Sequence, residues 1–236
     1  MPERFHVEVA PGQIVTAIEY PAATRHLADI TLILGHGAGA GQTSGFMVSF
    51  ATALAERGID VVTFNFLYAE YSRRVPDPNG RLESCYRRVI ESVRGRSTSG
   101  PLKLAIGGKS MGGRIASQVA ASGVGALAGL VFLGYPLHPP GKPQRPRAAH
   151  LPEIEAPMLF VQGSRDAFGT PDELKLIIER LEPRPDLYIV ESGDHSFKVL
   201  KSAGVGQQEV YRAIQDRIEA WLRAISAESA SGQSNQ

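Results

Sequence analysis

The chain has 236 residues and a single cysteine, Cys85, so no internal disulfide can brace it. Cys85 lies in a helix-like stretch with no turn glycine beside it, which makes it a small core residue rather than a nucleophile. No run approaches the ~18 consecutive apolar residues of a membrane span. The net charge of +1 offers no basic excess of the kind that nucleic-acid binders carry. Neither a membrane nor a nucleic acid is therefore expected as a partner. The opening residues Met1 to Val9 lack a basic start followed by an apolar core and a small-residue cleavage site, so a cytoplasmic protein is expected. His-x-x-x-His and paired-cysteine spacings are missing, and Lys109-Ser110 follows its glycines too closely to form a phosphate-binding loop. No metal and no other cofactor is expected, and no motif speaks to oligomeric state.

What the sequence does have is an alternation of short apolar runs with helix-like segments. Phe5 to Val9 and Ile14 to Tyr20 alternate polar and apolar residues around Pro11-Gly12 and predict an antiparallel hairpin. Continuous apolar runs at 30–34, 60–66, 102–107, 127–133, 158–162 and 187–191 predict strands buried on both faces. Between them, helical spacing covers 46–57, 81–96, 113–122, 170–181 and 207–225, with Thr170-Pro171-Asp172-Glu173 reading as a helix start. The fold class expected is α/β: a mostly parallel central sheet with an N-terminal antiparallel hairpin and helices on both faces. Residues 1–225 read as one domain. Residues 226–236, with no apolar anchor, read as a disordered tail.

The most informative stretch is Leu104 to Arg114, where an apolar run stops in glycines around Ser110 and then opens a helical pattern. A serine attacks a carbonyl only when presented on an uncrowded turn, and Gly108 and Gly112 leave that room: this is a nucleophile elbow. A serine hydroxyl also needs a base, and the base needs a group that fixes its tautomer. In open α/β sheets such groups gather beyond the carboxyl ends of strands. Asp166 follows the run 158–162 and His195 follows 187–191, which makes Ser110, Asp166 and His195 the candidate catalytic residues. Asp194 is a rival acid, disfavoured because it adjoins the histidine in sequence. Of the other histidines, His6 and His26 lie near the hairpin, and His138 and His150 sit in a proline-rich loop.

Charge developing on the carbonyl oxygen needs donors already in place. The amide of Met111, at the start of the helix after the elbow, is one candidate. The Ala38 amide, in the glycine-rich turn His36 to Gly41, is the second, with Gly37 and Gly39 as alternatives. Seven prolines between Gly134 and Pro157 leave little room for helices there, so the lid over the pocket is expected to be minimal. Tyr135, His138, Lys109 and Arg165 are candidate substrate-binding residues. Lys109, Arg165 and Arg73 near the mouth would suit a substrate carboxylate. The arginine-rich segment from Arg73 to Arg96, and Lys142, Arg145 and Arg147, read as solvated faces.

Six stretches together resemble the α/β-hydrolase superfamily over nearly the whole chain. They are His36 to Gly39, Phe64 to Phe66, Gly108 to Arg114, Leu133 to Pro143, Gln162 to Asp166 and Gly193 to Phe197. Within it the chain resembles bacterial dienelactone-hydrolase-like proteins related to testis-expressed hydrolase-like proteins and to a subunit of the NSL chromatin complex. The resemblance implies the same Ser110, Asp166, His195 triad and does not imply a substrate. It departs at the elbow, where dienelactone hydrolases proper carry a cysteine and this chain carries Ser110. The reading that follows is a serine hydrolase cleaving a small or accessible carboxylic ester. Its alternatives are an amidase, peptidase or thioesterase with the same triad, and a non-catalytic scaffold.

Overall fold

A computed structural model describes residues 1–23, 30–97 and 102–232, with side chains in the last helix described as far as Ala227. His26 and residues 233–236 fall outside that description. The elements in chain order are β1 (Glu3–Ala10), β2 (Gln13–Tyr20), β3 (Ile30–Gly35), α1 (Gly45–Glu56), β4 (Asp60–Phe64) and α2 (Leu67–Glu70). There follow α3 (Asn79–Arg96), β5 (Lys103–Lys109), α4 (Met111–Ala121), β6 (Gly129–Leu133), β7 (Met158–Gly163), α5 (Pro171–Ile178), β8 (Asp186–Val190) and α6 (Gln207–Gly232).

The eight strands form one sheet in the order β1-β2-β4-β3-β5-β6-β7-β8. β1 pairs antiparallel with β2, and β2 with β4; every other pairing is parallel. This is the architecture the sequence predicts. Successive side chains of the inner strands leave opposite faces, as the period of two requires. Leu32 and Leu34 pack with Phe50, Leu54, Ile218 and Leu222 of α1 and α6 on one face. Ile33, between them, packs with Tyr86, Val89 and Ile115 of α3 and α4 on the other. Both layers are dry, which is why these runs read as continuously apolar rather than alternating. Cys85 is part of the second layer, 2% exposed, and burial pushes its thiol up to about 12.

Three local expectations need correction. α6 does not stop at Ile225: it continues to Gly232 through Ser226 and Ala227, where no proline or glycine breaks the ladder. Ser226 is also buried, and Lys103 Nζ donates to its hydroxyl at 3.2 Å, so this part of the expected tail is helix. The run 60–66 splits into β4 and the single turn α2, because Phe66 leaves the ladder to cap that turn. α5 ends at Ile178, three residues early, although its start carries the full capping box between Thr170 and Glu173.

Between β6 and β7 the described chain forms one 3₁₀ turn, Leu151–Glu153, and no longer helix, so no helical cap is inserted there. Much of the arginine-rich segment is structural. Arg87 and Arg94 reach backbone carbonyls at the end of α4, and Arg88 and Arg96 pair with Glu91 and Glu19. Among the described residues no helix is long and apolar enough to cross a membrane.

Candidate active site

The corner from β5 into α4 places Ser110 at φ 50°, ψ −113°, a conformation that costs a non-glycine residue about 1–3 kcal/mol. Two backbone bonds hold it there. The Ser110 N–H donates to the Leu133 carbonyl at 3.0 Å, and the Ser110 carbonyl accepts from the Arg114 N–H at 3.0 Å. Gly112 is needed because α4 lies directly on the end of β3: a Cβ at Gly112 would stand 2.1 Å from the Gly35 carbonyl oxygen. The elbow pattern predicts a collision across the corner itself, whereas most of it comes from the neighbouring strand.

Asp166 and His195 leave the ends of β7 and β8 on the same edge. His195 Nε2 lies 2.8 Å from Ser110 Oγ, and His195 Nδ1 lies 2.8 Å from Asp166 Oδ2. The loop carrying His195 comes this close because β7 ends in Gly163, where a Cβ would meet the Gly193 and Asp194 carbonyls at 2.4 and 2.5 Å. Asp166 is buried, and its carboxylate is filled with donors. Gln162 Nε2 donates to Oδ2 at 2.9 Å and the Phe168 N–H donates to Oδ1 at 2.8 Å. Gln162 in turn accepts from the Tyr135 N–H at 2.8 Å, tying the acid to the turn after β6. The Phe168 ring stacks on the imidazole of His195 at 4.2 Å between centroids. Asp194 is occupied elsewhere, since its Oδ1 accepts from the amides of Ser196 and Lys198 and closes the histidine's own turn. Gln162 opens one of the stretches that carry the resemblance, but no sequence pattern assigns it a role, and only a place beside a strand-end aspartate could have drawn attention to Phe168.

The turn after β3 is pinned by His36, which is fully buried. Its Nε2 accepts from the Phe66 N–H at 3.1 Å, so its Nδ1–H donates to the Gly37 carbonyl at 2.8 Å. Burial pushes its pKa down to about 4, with the Gly37 contact opposing. Ala38, two residues on, and Met111, at the first position of α4, both line the same cleft as Ser110. Neither amide donates to an acceptor among the described residues.

His36 gives a pH signature of folding. An unfolded histidine titrates near ~6.5. Between that value and about 4 the unfolded chain holds the extra proton, so stability is complete above the upper limit and falls as pH drops through the window. From pH 7 to pH 5 the loss from this residue alone is about 2 kcal/mol. Urea unfolding at the two pH values checks it: a His36→Gln protein should show that much less acid loss than wild type, and equal losses would refute the assignment.

The cleft has a volume of about 560 Å³. Lys109 lines it, but its Nζ donates to the His195 carbonyl at 2.5 Å, and burial pushes its pKa down to about 8, against the pull of Asp166 and Asp194. Its ammonium therefore braces the histidine loop. The other proposed substrate contacts do not line the cleft. Tyr135 is buried with its hydroxyl donating to the Arg147 carbonyl at 2.8 Å. His138 is buried against the Pro139 carbonyl and Glu173. Arg165 turns back to the Ser192 carbonyl. All three brace loops because the strand-end turns send their side chains away from the serine. Arg73 likewise pairs with Asp77 at 2.8 Å, and His150 bonds Ser117 at 2.7 Å. Two arginines that sequence reasoning did not single out for substrate, Arg114 and Arg147, do line the cleft. Among the described residues no three His, Cys, Asp or Glu side chains gather as a metal site.

Residues 28–223 match the family model described as the alpha/beta hydrolase domain. Solved structures with the same fold include an a/b serine hydrolase without lid from Xanthomonas campestris, 22% identical over 93% of this chain and 94% of that one, TM-score 0.72. A dienelactone hydrolase from Anabaena variabilis is 20% identical over 93% and 96%, TM-score 0.70. Est1E from Butyrivibrio proteoclasticus is 10% identical over 95% and 99%, TM-score 0.74.

Proposed function

This chain belongs to the alpha/beta hydrolase domain family, and we propose that it is a serine hydrolase that cleaves a small or accessible carboxylic ester through an acyl-enzyme. The observation that carries the proposal is the unbroken chain of 2.8 Å contacts from Ser110 Oγ through His195 to Asp166. In this reading His195 Nε2 takes the hydroxyl proton as Ser110 Oγ attacks the ester carbonyl carbon. The carbonyl oxygen becomes an oxyanion, met by the Met111 and Ala38 amides and by the positive end of α4. When the tetrahedral centre collapses, His195 returns its proton to the departing alkoxide and the acyl group stays on Ser110. Water then repeats the sequence, with His195 again as base, and releases the acid.

Asp166 holds the proton of His195 on Nδ1, which leaves Nε2 with the free lone pair that the first step needs. The same lone pair is what a thiol- or amine-leaving substrate would use, so it does not choose among leaving groups. The reading of a small or accessible substrate rests on the lack, among the described residues, of a helix inserted between β6 and β7 to enclose a long acyl chain. The dienelactone hydrolase among the structures of the same fold is consistent with an ester substrate.

Rapid mixing with p-nitrophenyl butyrate tests the proposal. A burst of p-nitrophenol equal to the enzyme concentration, followed by slower turnover, is expected, with kcat/KM above that of the laurate ester and of the matched anilide and thioester. Preference for the anilide or thioester would replace the ester assignment, and no burst and no turnover with any of them would overturn the hydrolase reading.

A further inference from the structure

The cleft wall beside Ser110 carries two guanidinium groups with no carboxylate within ion-pair distance among the described residues. Arg114 lies in the first turn of α4, half-buried, with Nη1 donating to Gln118 Oε1 at 3.1 Å and Nη2 to Asn79 Oδ1 at 3.0 Å. Both acceptors are uncharged amide oxygens. They orient the fork without neutralising it. Arg147, exposed in the segment between β6 and β7, lines the same cleft. Among the described residues neither arginine has a carboxylate within ion-pair distance, whereas Arg57, Arg73, Arg88, Arg96, Arg217 and Arg223 all do.

The two charges feel one another. Burial lowers the proton affinity of Arg114, and the nearness of Arg147 lowers it further, with smaller opposing pulls from Tyr135 and the Glu83 carboxylate. Asp77, the carboxylate on the cleft wall, is held through Oδ1 by Arg73 at 2.8 Å and approached there by Arg81 at 3.8 Å; its Oδ2 has no hydrogen-bond partner among the described residues, and it makes no ion pair with Arg114 or Arg147. The amino end of α4 adds its partial positive charge on the same side as Arg114. Like charges brought together in a cleft, with one fork pre-set by neutral partners, suit a compact oxyanion that accepts from both.

We propose that Arg114 and Arg147 form an anion subsite that selects substrates carrying a carboxylate, or an oxyanion of similar size such as a phosphate, a few atoms from the scissile ester. The substrate half of this inference rests on the hydrolase reading; anion binding by the cleft does not. It also moves the carboxylate contact away from Lys109, Arg165 and Arg73, all of which are engaged elsewhere.

The test compares p-nitrophenyl hemiglutarate with p-nitrophenyl valerate, two esters with acyl chains of equal length that differ in the terminal carboxylate. Wild type should favour the hemiglutarate by about tenfold or more in kcat/KM at low ionic strength, and salt should shrink the ratio. Arg147→Gln and Arg114→Gln should bring the ratio to within about twofold of one, while Arg145→Gln, an equal charge loss on the same loop outside the cleft, should leave it as in wild type. Calorimetry on Ser110→Ala reads binding without turnover: glutarate should bind and should weaken about tenfold in Ser110→Ala/Arg147→Gln, and inorganic phosphate binding more tightly than glutarate would assign the subsite to phosphate.

A wild-type ratio near one with no glutarate or phosphate binding overturns the subsite while leaving the hydrolase reading in place. So does a preference that survives both arginine substitutions. Glutarate binding that depends on Arg147, in a protein that cleaves neither ester, upholds the subsite and counts against the hydrolase reading alone.

Discussion

Ser110→Ala should lower kcat for ester hydrolysis by about 10⁶-fold and leave the fold intact. The substitution removes one oxygen. The strained φ of 50° is held by the Leu133 and Arg114 backbone bonds and not by the hydroxyl, whose described partner is His195. The far-UV spectrum and melting temperature should therefore match wild type closely. The cleft and its free amides survive, so the variant should still exceed the uncatalysed rate by about 10³–10⁴-fold. Initial rates at saturating ester, measured beside circular dichroism of the same sample, check both halves. Activity within tenfold of wild type would place the nucleophile elsewhere.

Asp166→Asn should cost about 10⁴-fold in kcat, and the reason can be read from its donors. The Phe168 N–H requires an oxygen at the Oδ1 position, so the new amide group must occupy the place of Oδ2. There it faces Gln162 Nε2, a donor, and His195 Nδ1. His195 can meet an amide N–H only by presenting Nδ1 as an acceptor, which puts its proton on Nε2, pointing at Ser110. A base in that tautomer cannot take the serine proton. Asp194→Asn should cost less than about tenfold, because Oδ1 of Asp194 caps backbone amides and an amide oxygen can do the same. Steady-state kinetics of the two variants separate the roles; equal losses would show that the acid had been wrongly assigned.

The parts of this arrangement that were legible in the sequence are those set by local chemistry and by chain order. A tight strand-to-helix corner needs its glycines next to the serine, so Gly108 and Gly112 advertise the elbow. Strands buried on both faces are continuous in their apolar residues, so the ends of β5, β7 and β8 could be located and the groups just beyond them named. Which way a loop side chain points is a different kind of information. Tyr135 and Arg165 stand nearer the strand ends in sequence than Asp166 does, and His138 only two residues farther, yet each turns into the loop packing, because a one-residue change of position in a turn redirects the side chain. Arg114 was hidden inside a helical pattern, where its spacing from Ser110 looks like ordinary helix surface, and Arg147 among exposed prolines. Gln162 reads as the last residue of a strand and His36 as the first of a glycine-rich turn. Only the three-dimensional neighbours show that one donates to Asp166 and the other pins the turn after β3.

The central claim is that the hydroxyl of Ser110 is an activated nucleophile in the folded protein, and covalent labelling tests it most directly. The native protein is treated with a fluorophosphonate, digested, and searched for the adduct by mass spectrometry. The account predicts one stoichiometric adduct, on the peptide containing Ser110, lost on unfolding and strongly slowed in His195→Gln. A folded wild-type protein that takes up no label, or takes it up at another serine, would contradict it.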